Sequence, residues 1–252
     1  MPLTEFLNRL LNFKKSLNVR MRELLLKYNS DKFDSYLPYI ISLKSKKILE
    51  YVNKRENSIE EKVDSWFEYN KLLINICKEC YNRFNPTLIY TFNDEIHLVF
   101  YNNNNNNMYL ENINEKLTTI VSYVTYLITK SSKYENFSFY GKYVQFNTQY
   151  ETLNYLIWRQ LDCKRNNTNE LYRYYTQDSI ISIEQKIKKL EDNMIDEILH
   201  NIIYGNILKK ELIYIEDKNK DLVSRKVITN SNILFSNNFT ENLQKYIYNK
   251  YI

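Results

Sequence analysis

Two β-rich runs, Leu88-Ile89-Tyr90-Thr91 and Ile96-His97-Leu98-Val99-Phe100, are separated only by the polar stretch Phe92-Asn93-Asp94-Glu95. Runs rich in β-branched and aromatic residues on either side of such a stretch pair as an antiparallel hairpin. A lone hairpin is barely stable in water, so the rest of the chain must supply further strands and covering helices. The flanking sequence supplies both. Pro38 precedes a strand-length apolar run, Tyr39-Ile40-Ile41-Ser42-Leu43. Ser58 and Glu61 then form a capping box. Behind it Ile59, Val63, Trp66, Leu73, Cys77, Cys80 and Phe84 keep a helical spacing, until Asn85-Pro86 stops the helix.

After the hairpin, Ile113, Leu117, Ile120, Val124 and Leu127 mark a second helix, and 140–146 reads as a strand. Thr148 and Glu151 cap a third helix, which carries Leu153, Leu156, Ile157 and Arg159. Strand, helix, hairpin, helix, strand predicts an α+β chain with an antiparallel sheet and helices on one face. The remainder reads as helical to about His200, followed by strands at 207–216 and 222–229 and a terminal helix. Upstream, 3–28 is amphipathic, with Phe6, Leu10, Phe13, Leu17, Met21, Leu24 and Tyr28 three or four apart. The asparagine run 102–107 is expected to be a solvated loop. With no repeat and no clear linker, the expectation is one domain over 1–252, with a core at 36–165 and a helical and strand extension at 166–252.

Composition narrows the classes. Of 252 residues, 44% are hydrophobic, which suits a packed core and excludes a disordered chain. No run approaches the roughly 18 apolar residues of a membrane span. No apolar signal region interrupts the charged start of the chain. Three cysteines, an odd number, argue against a disulfide framework and predict a reducing, cytoplasmic setting. Cys77 and Cys80 have the spacing of a metal or redox pair, but they fall on the apolar face of a helix with no second pair, so they read as core. His97, inside a strand, reads as structural. The net charge of +5 is compatible with a nucleic-acid partner without demonstrating one.

Two places carry candidate chemistry. Asp94-Glu95 sits at the hairpin tip, where acidic residues are common for reasons of turn geometry alone. The stretch Trp158-Arg159-Gln160-Leu161-Asp162-Cys163-Lys164-Arg165-Asn166-Asn167 places Arg159 and Asp162 on neighbouring helical turns, spaced to pair. Its Lys164, Arg165 and asparagines suit phosphate or ribose contacts.

These residues resemble the tRNA-His guanylyltransferase-like family. Its hairpin has the form Tyr-x-x-Ser-Asp-Glu, and here Tyr90-Thr91-Phe92-Asn93-Asp94-Glu95 stands in that place. Its helix motif Asn-Tyr-x-x-Trp-Arg-Gln-x-Asp-x-x-Arg-Asn is similar in sequence and spacing to the stretch from Asn154-Tyr155 through Arg165-Asn166. Weaker similarities extend from Ser16 to Tyr214, including the lysine of Glu115-Lys116-Leu117. The resemblance implies a polymerase-palm fold and 3′–5′ nucleotide addition to RNA. In that reaction the 3′-hydroxyl of an incoming nucleotide, usually GTP, attacks an activated or triphosphorylated tRNA 5′ end. Lys164-Arg165-Asn166-Asn167 is closer to the relatives that repair truncated tRNA 5′ ends than to those specific for tRNA-His. The family implies Mg²⁺ as cofactor, GTP and ATP as substrates, tRNA as partner and a tetramer.

By the same correspondence, Asp94, Glu95 and Lys44 make up the catalytic group and Asp94 the metal ligand. Ser45, Lys46, Asn93 and Lys116 would contact nucleotide, and Arg159, Asp162, Lys164, Arg165 and Asn166 would contact RNA. The family's first strand ends in Arg-x-Asp-Gly-Arg. In this chain Ser42, Lys44, Ser45 and Lys46 occupy those positions, and Asn93 replaces the hairpin serine. An ammonium at Lys44 repels a divalent cation where the family has an oxygen ligand. Two expectations follow: a nucleotide- or RNA-binding scaffold that has lost its metal site, or an enzyme in which the lysine supplies charge to the triphosphate.

Overall fold

The computed structural model describes residues 16–27, 33–34, 36–45, 59–101, 112–131, 137–175, 183–191, 196–216, 222–231, 233–235 and 246–248. In chain order the elements are α1 (Leu17–Lys27), β1 (Tyr39–Ser45), α2 (Ile59–Phe84), β2 (Leu88–Phe92), β3 (Glu95–Phe100) and α3 (Ile113–Thr129). They continue with β4 (Phe139–Gln145), α4 (Gln149–Tyr175), α5 (Ile183–Glu191), α6 (Asp196–Tyr204), β5 (Asn206–Glu216) and β6 (Leu222–Ser231). Lys46, the asparagine run 102–107 and the first part of the 3–28 helix lie outside the described residues. So does most of the expected terminal helix, of which 246–248 form one helical turn.

The strands make one antiparallel sheet in the order β4-β1-β3-β2-β5-β6. The hairpin turn is tighter than the sequence suggests. Phe92 and Glu95 pair as the last rungs, leaving only Asn93 and Asp94 between the strands. Asn93 adopts a φ of 48°, a left-handed conformation that asparagine tolerates far better than branched residues. Asn85, at a φ of 50°, likewise ends α2 before Pro86.

Alternate strand residues feed two cores. Ile41, Leu43, Ile89, Ile96, Leu98 and Phe100 pack under α2 and α3, against Leu73, Ile76, Cys77, Cys80, Ile120 and Val124. Ile40, Tyr90, Phe92, Val99 and Val144 face the other way, against Met21 of α1 and Leu153, Tyr155 and Leu156 of α4. The expectation of helices on one face is therefore too narrow, because α1 and α4 cover the second face. Unbroken burial along β2 and β3 is the mark of a sheet covered on both sides. Each fully buried aliphatic side chain contributes about 1.5–3 kcal/mol. Cys77 and Cys80 are free, wholly buried thiols, as their helical face suggested.

The late strands do not stand apart. β5 pairs with β2 and so extends the same sheet beyond the first core. Its approach depends on Gly205, at a φ of +78°, where an added Cβ would lie 2.9 Å from the Thr91 carbonyl oxygen. At Gly141 an added Cβ would lie 2.6 Å from Val121 and 2.8 Å from Leu43, so α3 can press directly onto β4 and β1. The sequence places both of its glycines at these two close approaches. Among the described residues no helix is long and apolar enough to cross a membrane.

Candidate functional site

The cross-strand register assembles the site. Lys44 of β1 pairs with Glu95 of β3 on one side and Tyr140 of β4 on the other. Two residues along, Ser42 pairs with His97 and Lys142. A period of two puts all six side chains on the sheet face that α4 covers. From α4 come Tyr155, Trp158, Arg159 and Asp162, spaced as one helical stripe. Between sheet and helix lies a cleft of about 240 Å³, lined among others by Lys44, Glu95, Tyr140, Lys142 and Arg159.

Glu95 is the centre of this cleft. Its Oε1 accepts from Lys44 Nζ at 2.9 Å, and its Oε2 from Arg159 Nη2 at 2.8 Å. His97 Nε2 lies 3.1 Å from Oε2, and an ionised carboxylate only accepts, so that nitrogen carries the proton. His97 Nδ1 then accepts from the Tyr155 hydroxyl at 3.3 Å. Burial opposes the charge on Glu95, but the His97 hydrogen bond and the charges of Arg159 and Lys44 overcome it. They hold the carboxyl well below the usual range. Burial pushes the His97 pKa down, which keeps the ring neutral at neutral pH.

Its neighbour behaves in the opposite sense. Burial raises the pKa of Asp94 to about 6, with Lys44 opposing the rise and Glu95 adding to it. Lys44 Nζ is 4.0 Å from Asp94, against 2.9 Å from Glu95, so the lysine belongs chiefly to Glu95. Arg159 bridges from Glu95 to Asp162, its Nη1 2.8 Å from Oδ2, and Arg165 reaches Asp162 Oδ1 at 2.6 Å.

The donor set does not suit a divalent cation. Magnesium needs oxygen ligands in an octahedral shell. Here both Glu95 oxygens are taken by cationic or N–H groups, and an ammonium lies beside Asp94 and Glu95. Among the described residues no group of three His, Cys, Asp or Glu side chains is placed to hold a metal.

The other sequence candidates are distributed as follows. Ser45 lies one residue out of phase with Lys44, and its hydroxyl donates to the Ser138 carbonyl away from the cleft. Its backbone N–H donates to the Asp94 carbonyl at 3.0 Å. Lys116 donates to the Tyr39 hydroxyl at 2.9 Å and sits over Phe100, among residues of the α2–α3 face. The structure does not bring Lys116 to the cleft. Asn93 exchanges reciprocal amide hydrogen bonds with Asn167 at 2.7 and 2.9 Å, which ties the hairpin tip to α4. Lys164 lies 4.0 Å from Glu184, while Arg165 and Asn166 are exposed on α4.

Much of the helix motif is scaffold. Trp158 donates to Asn18 of α1, and Gln160 accepts from the Phe235 backbone and donates to the Ile233 carbonyl. Asn167 also donates to the Ile202 carbonyl. Tyr140 and Lys142 line the cleft although sequence reasoning passed over both. Their signal was present: a lysine two residues from a tyrosine on an alternating strand shares its face.

No protein-family model and no curated protein matches the sequence. Solved structures do. The chain is similar to a bacterial tRNA(His) guanylyltransferase-like protein in complex with GTP, at 18% identity and a TM-score of 0.65, over 93% of this chain and 100% of that one. It is also similar to a bacterial tRNA(His) guanylyltransferase-like protein in complex with ATP, at 21% identity and a TM-score of 0.62, over 92% of this chain and 100% of the other. The chain has the fold of the tRNA(His) guanylyltransferase-like proteins.

Proposed function

We propose that this chain is a tRNA-His guanylyltransferase-like protein, one domain over 1–252, that binds nucleoside triphosphate and tRNA 5′ ends but does not carry out magnesium-dependent 3′–5′ addition. Three things support the reading: the shared fold, the helix motif around Trp158, and a cleft bordered by cations. The observation that carries it is the contact of Lys44 Nζ with Glu95 at 2.9 Å and with Asp94 at 4.0 Å. The resemblance puts a metal-ligating aspartate at that position, and two-metal chemistry needs both ions to stabilise the attacking and leaving oxygens. With an ammonium there, the scaffold remains and the metal clamp does not.

Lys164, Arg165 and Asn166 on the outer part of α4 are the RNA contacts in this reading, with Arg159 and Asp162 setting their helix against the sheet. The test offers a 5′-truncated, triphosphorylated tRNA with GTP and Mg²⁺, which removes any need for prior activation. The expected result is tRNA binding at low salt and no labelled nucleotide added. Efficient addition that disappears in Asp94→Ala would replace this reading with an active, lysine-assisted enzyme.

A further inference from the structure

The cleft holds more positive charge than it neutralises. Lys44, Lys142 and Arg159 all line it, and Glu95 is the single carboxylate among the lining residues. Lys44 and Arg159 share Glu95. Lys142 makes no hydrogen bond and no ion pair with any described residue. It is an exposed residue of the lining; desolvation lowers its pKa, the Glu95 charge opposes the fall, and the charges of Arg159 and Lys44 add to it. An ammonium that lines the cleft with no hydrogen-bonded partner can make a charge-assisted contact to an incoming anion without first breaking one. Arg159 adds a second orphan, since its Nε is buried without an acceptor. A buried N–H left unsatisfied costs about 1–3 kcal/mol.

Size limits what the anion can be. At about 240 Å³ the cleft falls below the roughly 300–1,000 Å³ of sites that enclose a whole small molecule. It suits a phosphate chain, with the nucleoside outside. A triphosphate ordinarily reaches a palm-type site with magnesium to offset its charge, but the donor set here does not fit that ion.

We infer that the cleft binds a 5′-triphosphate group directly, without a divalent cation, with Lys142 as its principal contact. The inference rests on the nucleotide-binding reading above and goes further by removing the metal from it. Free nucleoside triphosphate and a triphosphorylated RNA 5′ end present the same chemistry, so the experiment must separate them.

The full chain is titrated by calorimetry with GTP, with a short 5′-triphosphorylated RNA and with inorganic tripolyphosphate, first in EDTA and then in excess MgCl2. The expected result is binding in EDTA that Mg²⁺ weakens, because the ion competes with Lys142 for the same oxygens. Lys142→Met should weaken it about tenfold or more, the loss of one charge-assisted hydrogen bond, and Lys142→Arg should largely keep it. Thermal unfolding of both variants checks that each is folded. GTP binding without RNA binding assigns the site to free nucleotide, and the converse assigns it to the RNA end. Binding that appears only with Mg²⁺, or that ignores Lys142→Met, overturns the metal-free inference and leaves nucleotide binding standing. Tripolyphosphate bound without either nucleotide ligand reduces the cleft to an adventitious anion site and also overturns it. No binding of any of the three, in either condition, removes both readings.

Discussion

Lys44 and Glu95 are cross-strand partners in β1 and β3, and their side chains meet at 2.9 Å on the sheet face that α4 covers. The ammonium offsets the Glu95 charge at this end of the two interior strands. Glu95 is also held by Arg159 and His97, so this carboxylate joins β1, β3 and α4.

Glu95→Gln should therefore be costly. Removing one member of a buried ion pair costs about 3–5 kcal/mol, and half-exposed Lys44 puts this case near the lower end. The pH dependence has a definite sign. The folded pKa of Glu95 is depressed, so its stabilisation is complete above the unfolded value of 4.5 and is lost as pH falls below it. Urea unfolding should show wild type losing stability from about pH 5 down to about pH 3, and Glu95→Gln losing distinctly less. Equal slopes would show that Glu95 is not ionised and paired as described.

Asp94 predicts the reverse. Its folded pKa is raised to about 6 from 3.8, so its contribution favours folding most below 3.8 and is lost as pH rises through 6. Asp94→Asn should stabilise the protein at about pH 7 and change little at about pH 4. Urea midpoints at the two pH values measure this directly. A variant destabilised at neutral pH would mean that the Lys44 contact at 4.0 Å outweighs burial.

Much of the fold was legible in the sequence, and for specific reasons. The apolar period, the Asn85-Pro86 stop and the Thr148 cap mark elements that the structure contains with ends shifted by a residue or two. The second helical layer was less visible, although Leu88–Phe92 offered the clue of an apolar run that does not alternate. The site was legible in part. Parity along β1 already separates Lys44 from Ser45, whose side chain turns to the other face. Lys116 could not be placed this way, because the sheet face that α3 covers depends on how the chain crosses over, which periodicity does not record. Asn93 is expected to contact nucleotide from its place in the hairpin, and in the structure its amide also meets Asn167, 74 residues away. No local pattern reveals such a pair.

The exposed part of α4 gives a prediction about RNA. If Lys164 and Arg165 contact phosphates, each releases about one counterion on binding, so tRNA affinity must fall as salt rises. Lys164→Ala with Arg165→Ala should weaken binding and lower the slope of log affinity against log salt by roughly one for each contact. Filter binding across a salt series reads both. An unchanged slope would remove α4 from the RNA interface.

Restoring the palm pattern with Lys44→Asp and Ser45→Gly tests the metal argument most directly. The new aspartate would face Glu95 across the strand pair and lie near Asp94, so that three carboxylates meet where two carboxylates and an ammonium do now. Without metal those charges repel, and the second substitution removes the hydroxyl that Ser45 donates to the Ser138 carbonyl, so the apo variant should melt well below wild type. Mn²⁺ should then raise its melting temperature with concentration, since a ligand bound only by the folded state stabilises it by about 2.7 kcal/mol at a hundred times Kd. Wild type should show no such rise, because Lys44 occupies the position. Nucleotide addition should stay weak even in the metal-loaded variant. Glu95 would remain committed to Arg159 and His97, Ser42 and Asn93 would still depart from the family pattern, and catalytic groups that act as a unit are not restored one at a time. A wild-type melting curve that moves with Mn²⁺ as far as the variant's would show that the native cleft already holds a metal, and the ammonium at Lys44 would need a different explanation.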